Sequence, residues 1–91
     1  MTSDIKSFAA ALSTDAPKLD LHGRDPHEIQ NQIDQFLYAH FLKKDSYVEI
    51  IYGIGKGVLG KITLEFLATH PLVEKVIDKG ASCIVLLSGQ N

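Results

Sequence analysis

Twice in 91 residues a short strand runs into glycine and then into a helix. The first instance is Leu19-Asp20-Leu21-His22-Gly23. Helix-start signals follow at once: Asp25 as N-cap, Pro26 at the first helical position and Glu28 three residues after the cap. The second is the strand over 47–52, which gives way to Gly53-Ile54-Gly55-Lys56-Gly57 and a helix over 58–69. A strand returning to its sheet through a helix pairs parallel to the strand it left. Two such units in so short a chain predict one small α/β domain.

The remaining elements follow from periodicity. A first strand over 18–22 puts Leu19 and Leu21 on one face. Ile29, Ile33, Phe36, Leu37, His40 and Phe41 form one face of the first helix, with Lys43 and Lys44 in its last turn. Leu59, Ile62, Phe66 and Leu67 supply the buried face of the second, which His70-Pro71 ends. Strands over 73–78 and 81–88, joined by Lys79-Gly80 as a two-residue turn, are antiparallel. The run Cys83-Ile84-Val85-Leu86-Leu87 suits an interior strand. The expected order is β-α-β-α-β-β, a two-layer α/β fold with a four-stranded mixed sheet and two helices on one face. That domain spans 18–91, behind an N-terminal extension over 1–17. In the extension Ile5, Phe8, Ala9 and Leu12 have the spacing of an apolar helix face, with Ser3 or Asp4 as cap. Such a stripe packs on the domain or in a partner, or is disordered in solution, since so short a helix is marginal alone.

Bulk properties exclude several classes. A net charge of −2 is not that of a strongly electropositive nucleic-acid binder, although it leaves room for a local basic patch. The single cysteine, Cys83, rules out an intramolecular disulfide framework, fits a reducing compartment and reads as a core residue. No apolar run approaches the roughly 18 residues of a membrane span, and the start lacks the charged n-region of a signal peptide. The expected location is cytoplasmic.

The chemistry concentrates at the two strand ends. Strand alternation puts Asp20 and His22 on one face, their Cα atoms about 6.6 Å apart. Ligands of open α/β sheets bind at the carboxyl ends of strands. An imidazole changes charge near neutral pH and serves as general acid or base; a neighbouring carboxylate orients it or takes a proton itself. The plainer alternative is that Asp20 and His22 cap the turn. Gly53, Gly55 and Gly57 let backbone N–H groups approach a phosphate, with a helix N-terminus behind them. Lys56 adds a point charge, and Arg24 and Lys61 complete a candidate basic patch. Tyr52, at the mouth of its strand, offers a ring on which a base can stack.

Taken together, the first motif, a strand ending Tyr52-Gly53-Ile54-Gly55-Lys56-Gly57, a helix ending His70-Pro71-Leu72-Val73 and a final apolar strand resemble the Smr (small MutS-related) domain family over residues 19–87. The resemblance implies a fold similar to the C-terminal domain of bacterial translation initiation factor three, with the last strand inserted between the second and third. It implies binding to DNA or RNA and endonuclease cleavage or nicking of phosphodiester bonds. Asp20 and His22 are then the catalytic pair, and Arg24, Tyr52, Gly53, Gly55, Lys56, Gly57 and Lys61 hold nucleic acid. A ribosome or a MutS-like ATPase are further partners it implies; a non-catalytic nucleic-acid-binding or protein-interaction module is the alternative. Two features depart from the family pattern: Tyr52 stands where the second motif usually opens with histidine, and Lys79-Gly80 replaces a longer, glycine-rich connection.

Two other motifs compete. Gly55-Lys56-Gly57-Val58-Leu59-Gly60 matches the dinucleotide-binding spacing, with Asp78 where a ribose-binding acid belongs, but the chain then turns back into a hairpin too short for that fold. A P-loop fails because Gly57 follows Lys56. His40 reads as a satisfied buried histidine, and His27 and His70 as local structure. The four histidines and Cys83 lack zinc spacing, so no metal site and no cofactor is required, while dependence on a divalent ion stays open.

Overall fold

Asp25 and Pro26 start the first helix in the expected way: the Asp25 carboxylate accepts the His27 N–H at 2.9 Å, and Pro26 occupies a position whose N–H has no intrahelical partner. The computed structural model describes residues 15–55 and 57–89. Its elements are β1 (Lys18–Asp20), α1 (Pro26–Leu42), β2 (Tyr47–Ile51), α2 (Val58–Ala68), β3 (Val73–Asp78) and β4 (Ser82–Leu87). The amphipathic stripe Ile5, Phe8, Ala9 and Leu12 lies outside the described residues. The chain is already packed ahead of β1: Ala16 is buried, and the Pro17 carbonyl accepts the Glu49 N–H at 2.8 Å.

The sheet order is β1-β2-β4-β3. β1 pairs parallel with β2, and β4 pairs antiparallel with both β2 and β3, so the first three strands share one direction as expected. Every residue of β4 is buried, which is why it reads as an unbroken apolar run. Two details differ from the sequence expectation. The hairpin reverses at Gly80-Ala81, one residue late: the Lys79 N–H donates to the Ser82 carbonyl at 2.8 Å, and Gly80 takes φ +96°. The cause is the Asp78 carboxylate, which accepts the Gly80 N–H at 2.9 Å and draws the turn onto itself. β1 stops at Asp20 rather than at residue 22, because a turn begins at Leu21.

One face of the sheet carries both helices. Leu21, Val48, Ile50, Cys83, Val85 and Leu87 meet Ile29, Ile33 and Leu37 of α1 and Leu67 of α2 in one buried cluster. On the opposite face Ile84 and Leu86 form a second buried cluster with Tyr47 and Ile77. Beside it, buried Glu49 accepts the Ser82 hydroxyl at 2.8 Å, with the Lys18 and Lys79 ammonium groups each 3.8 Å away. These contacts let a carboxylate remain in a sheet otherwise filled with apolar groups.

Two histidines tie the helices down. His40, most of whose side chain is buried, bonds to the Asp45 carboxylate at 2.7 Å. His70 Nδ1 accepts the Leu72 N–H at 3.1 Å, so Nε2 carries the proton donated to Asp34 at 2.8 Å, joining the end of α2 to α1. That link goes beyond the local role its sequence position suggests. Among the described residues no helix is long and apolar enough to cross a membrane.

The end of α1 is a Schellman motif. The Lys44 N–H donates to Phe41 O at 3.0 Å and the Asp45 N–H to His40 O at 3.0 Å, with Lys44 left-handed at φ +65°. Lys44 is thus past the helix rather than in its last turn, and it holds a conformation that costs a side chain about 1–2 kcal/mol. Lys44→Gly should raise unfolding free energy by about 0.5–1 kcal/mol, read by urea denaturation, while Lys43→Gly should not.

Candidate functional site

Because β1 and β2 are parallel neighbours, the segments leaving them emerge side by side. After β1 the chain makes a tight turn: the Arg24 N–H donates to Leu21 O at 2.9 Å, and Gly23 supplies φ +77° at the third position. His22 is the second residue of that turn and not a strand residue. The expected arrangement, acid and imidazole abreast on one strand face, is therefore not what forms. The Asp20 carboxylate instead accepts the main-chain N–H of His22 at 3.0 Å. Asp20 braces the turn, and the turn presents the ring.

That ring reaches the second loop. A Cβ built on Gly53 would lie 3.6 Å from His22 Cδ2, so the imidazole stands over the glycine that follows Tyr52, itself at φ +80°. The entry to this loop is held from below. The Ala81 carbonyl accepts both the Tyr52 N–H at 3.0 Å and the Gly53 N–H at 2.9 Å. Farther on, Gly57 caps α2 in the left-handed region, with no side-chain cap and no acid in the first turn. The leading N–H groups of α2 are thus left without an intrahelical acceptor and carry the positive end of the helix dipole.

Both loops line one cleft of about 530 Å³. His22, Gly23 and Arg24 form one wall; Gly53, Gly55, Gly57 and the first turn of α2 form the other. Ile54 and Val58 stand exposed on that second side. Arg24 is exposed and its guanidinium lies 3.5 Å from the Gln32 amide oxygen, a long and weak contact that leaves the charge available. Asp20 and Lys61 are exposed but do not line the cleft. Lys56 lies outside the described residues. Of the three cations proposed as a patch, the described residues bring only Arg24 to the cleft.

Tyr52 is not a stacking platform. The residue is 5% exposed and its hydroxyl points inward, donating to Asp78 at 2.7 Å and reaching the Ser82 carbonyl at 3.0 Å. Burial, reinforced by the Asp78 carboxylate, raises the phenol's pKa well above its ordinary value near 10.0. The same buried neighbourhood pushes the Cys83 thiol up to about 12, so Cys83 is an inert core group. Asp78, the acid that the dinucleotide spacing offered for a ribose, is instead bonded to Gly80 and Tyr52.

Two residues entered the sequence reading only through the competing dinucleotide spacing, and their packing role escaped it: Asp78, which holds the Tyr52 hydroxyl, and Gly60. Gly60 sits inside a helix, where glycine costs about 1 kcal/mol, and that cost was the available signal. A Cβ at Gly60 would come within 3.0 Å of Tyr52 Cδ1, so the glycine makes room for the ring. A further pair stands at the start of α1, where His27 Nδ1 lies 3.1 Å from the Asp25 carboxylate, both exposed. Its main-chain and side-chain bonds to His27, in that order, lower the Asp25 pKa. Among the described residues, no group of three or more His, Cys, Asp or Glu side chains is arranged to hold a metal ion.

Comparisons with known proteins agree with this architecture. The model of the Smr domain family matches residues 19–84. Endonuclease MutS2 of Streptococcus thermophilus is 38% identical over 64 residues, covering 68% of this chain and 8% of that protein. Endonuclease MutS2 of Helicobacter pylori is 38% identical over 61 residues, covering 67% of this chain and 8% of that protein. The chain thus spans about a twelfth of the length of these curated relatives. Among solved structures, the Smr domain of Thermus thermophilus MutS2 superposes with a TM-score of 0.76 at 26% identity, over 79% of this chain and 98% of that one.

Two measurements check the local geometry. Gly60→Ala forces a Cβ against a ring anchored at both ends; despite the better helix propensity of alanine it should lower stability by about 1 kcal/mol, and Tyr52→Ala should abolish that penalty in a double-mutant cycle. The Gly80 N–H and then the Tyr52 hydroxyl hold Asp78 below its ordinary pKa of 3.8. Its contribution is therefore complete above that value and is lost as pH falls through the folded pKa. Thermal melts between pH 6 and pH 2.5 should show a smaller acid loss in Asp78→Asn than in the parent chain.

Proposed function

The chain belongs to the Smr domain family, and from that premise we propose that it binds DNA or RNA at the cleft between its two strand-end loops and cuts a phosphodiester bond there. The observation that carries this reading is the His22 ring standing over Gly53, on the wall facing the uncapped start of α2. A phosphate in the cleft meets N–H donors and a helix dipole on one side and Arg24 on the other. His22 is the general acid or base for the attacking or leaving oxygen. Asp20 acts through the turn, as a positioning residue that fixes the His22 main chain. Lys56, by its sequence position within the glycine loop, is a further phosphate contact in this proposal; exposed Lys61, early in α2 but outside the cleft lining, would contact the nucleic-acid strand beyond it. Tyr52 supports the loop from within the core. Location in the cytoplasm, and assembly with a ribosome or a MutS-like ATPase, belong to the same proposal.

Incubating supercoiled plasmid and structured RNA with the chain, His22→Ala and Asp20→Ala, each with and without EDTA, tests this. His22→Ala should lose at least about 100-fold in cleavage rate, and Asp20→Ala should lose less. Cleavage at the parent rate by both variants overturns the assignment, and the EDTA arm reads dependence on a divalent ion.

A second reading has an observation in its favour. The position that opens the second motif holds Tyr52, whose hydroxyl is committed to Asp78 and the Ser82 carbonyl and takes no part in the cleft's proton chemistry. On that reading the domain binds nucleic acid without cutting it. Gel shifts that weaken with salt and with Arg24→Ala, with no turnover, distinguish it from the first.

A further inference from the structure

Four large apolar side chains of the described residues are exposed: Tyr38 and Leu42 on α1, and Ile54 and Val58. The last two line the cleft. Ile54, 78% exposed, stands in the glycine loop between Gly53 and Gly55, both at positive φ; Val58, 49% exposed, opens α2. The Gly57 N–H donates to the Ile54 carbonyl at 3.1 Å, so the loop turns between these two side chains. Half-buried Leu59 adds to the same apolar lining. The His22 ring and the exposed Arg24 lie on the other wall. Apolar side chains that gather at one cleft, rather than scatter singly over a surface, mark a place where something binds.

The two walls suit different chemistry. A phosphate is anionic and hydrated; it is held by a guanidinium and N–H donors and gains nothing from an aliphatic side chain. A nucleobase has an apolar face, which gains from contact with apolar side chains. In a duplex those faces are covered by neighbouring bases, and the outside of the helix presents phosphate and sugar. A nucleotide whose base is unpaired and unstacked offers a phosphate and a bare face together. The cleft, at about 530 Å³, falls in the range of about 300–1,000 Å³ typical of sites that enclose a small molecule. Charge argues the same way. The net charge is −2, and Arg24 is the cleft's cation among the described residues, so attraction to a phosphate backbone is a weak source of affinity by itself. A base contact adds to it.

We propose that Ile54 and Val58 are the base-contacting part of the site and hold the face of one unpaired nucleotide whose phosphate lies between His22, Arg24 and the start of α2. The proposal rests on the phosphate-binding reading of the cleft and names its substrate: a single strand, a loop or a flipped-out nucleotide, in preference to a continuous duplex. The base contact expected of Tyr52 from its place in the sequence passes to Ile54, two residues on.

Fluorescence anisotropy tests it with a labelled single strand of about 12 nucleotides, the same strand as a duplex, and an abasic strand of equal length that keeps the phosphates and lacks the bases. The parent chain should bind the single strand at least about 10-fold more tightly than the duplex. Ile54→Ala and Val58→Ala should each weaken single-strand binding about 3- to 10-fold and leave binding of the abasic strand unchanged. Leu42→Ala, equally exposed but outside the cleft, should change nothing. Arg24→Ala should weaken binding of all three ligands, because it acts on phosphate. Both cleft substitutions are at exposed positions, so thermal melts should match the parent chain. Parent-like binding by Ile54→Ala and Val58→Ala overturns the base contact. So does an equal loss on the intact and abasic strands, or a duplex bound as tightly as the single strand. In each of those cases a loss with Arg24→Ala leaves the phosphate reading standing. No binding of any of the three at low salt overturns both.

Discussion

One carbonyl, that of Ala81, holds the site to the sheet. It accepts the N–H groups of Tyr52 and Gly53 together, at the point where β2 ends and the glycine loop begins. Ala81 is available there only because β4 inserts between β2 and β3 and brings the β3–β4 hairpin turn under the mouth of β2. The Tyr52 hydroxyl completes the clamp on Asp78 and the Ser82 carbonyl. Gly53 is fixed as a result, and with it the surface over which the His22 ring stands. A loop of glycines has little conformational preference of its own; here its first residues are held by a strand pairing more than twenty residues downstream.

The same clamp explains the aromatic residue that departs from the family pattern. A tyrosine at position 52 needs space that a helix side chain would occupy, and Gly60 leaves that space. It needs an acceptor for a buried hydroxyl, and Asp78 supplies one. Tyr52, Gly60 and Asp78 are thus one packing solution spread over β2, α2 and β3. Asp78, the acid that the competing dinucleotide spacing offered, is consumed by this solution. Asp20 is likewise absorbed into structure through its bond to the His22 N–H, which leaves His22 as the titratable side chain on the cleft's first wall that is not committed to such a bond in the proposal above.

Much of the fold was legible because its signals are local. The Asp25-Pro26 start, the apolar faces of both helices and the six-element order each follow from periodicity and caps within a few residues. The unbroken apolar run of β4 pointed to an interior strand, and its place between β2 and β3 agrees. The strand limits at residue 20 and the hairpin reversal at Gly80-Ala81 were less legible. Both are set by single carboxylates, Asp20 and Asp78, bonding to nearby main chain, which shifts a turn by one or two residues without altering the hydrophobic pattern.

By itself, the amino-acid sequence determined the element order, the parallel direction of the first strands, the presence of histidine and glycine at adjacent strand ends, and the family. Those properties follow from periodicity, handedness and short motifs, which act over neighbouring residues. Tertiary structure decided which of the candidate residues share a space. His22 came to the cleft and Asp20 did not; Tyr52 turned into the core; Asp78 and Gly60 became its partners. Apart from the local bond that holds Asp20, such outcomes depend on distances between residues 8 to 31 positions apart, and no local pattern encodes them, because they are settled only when the sheet closes and each buried polar group must find an acceptor.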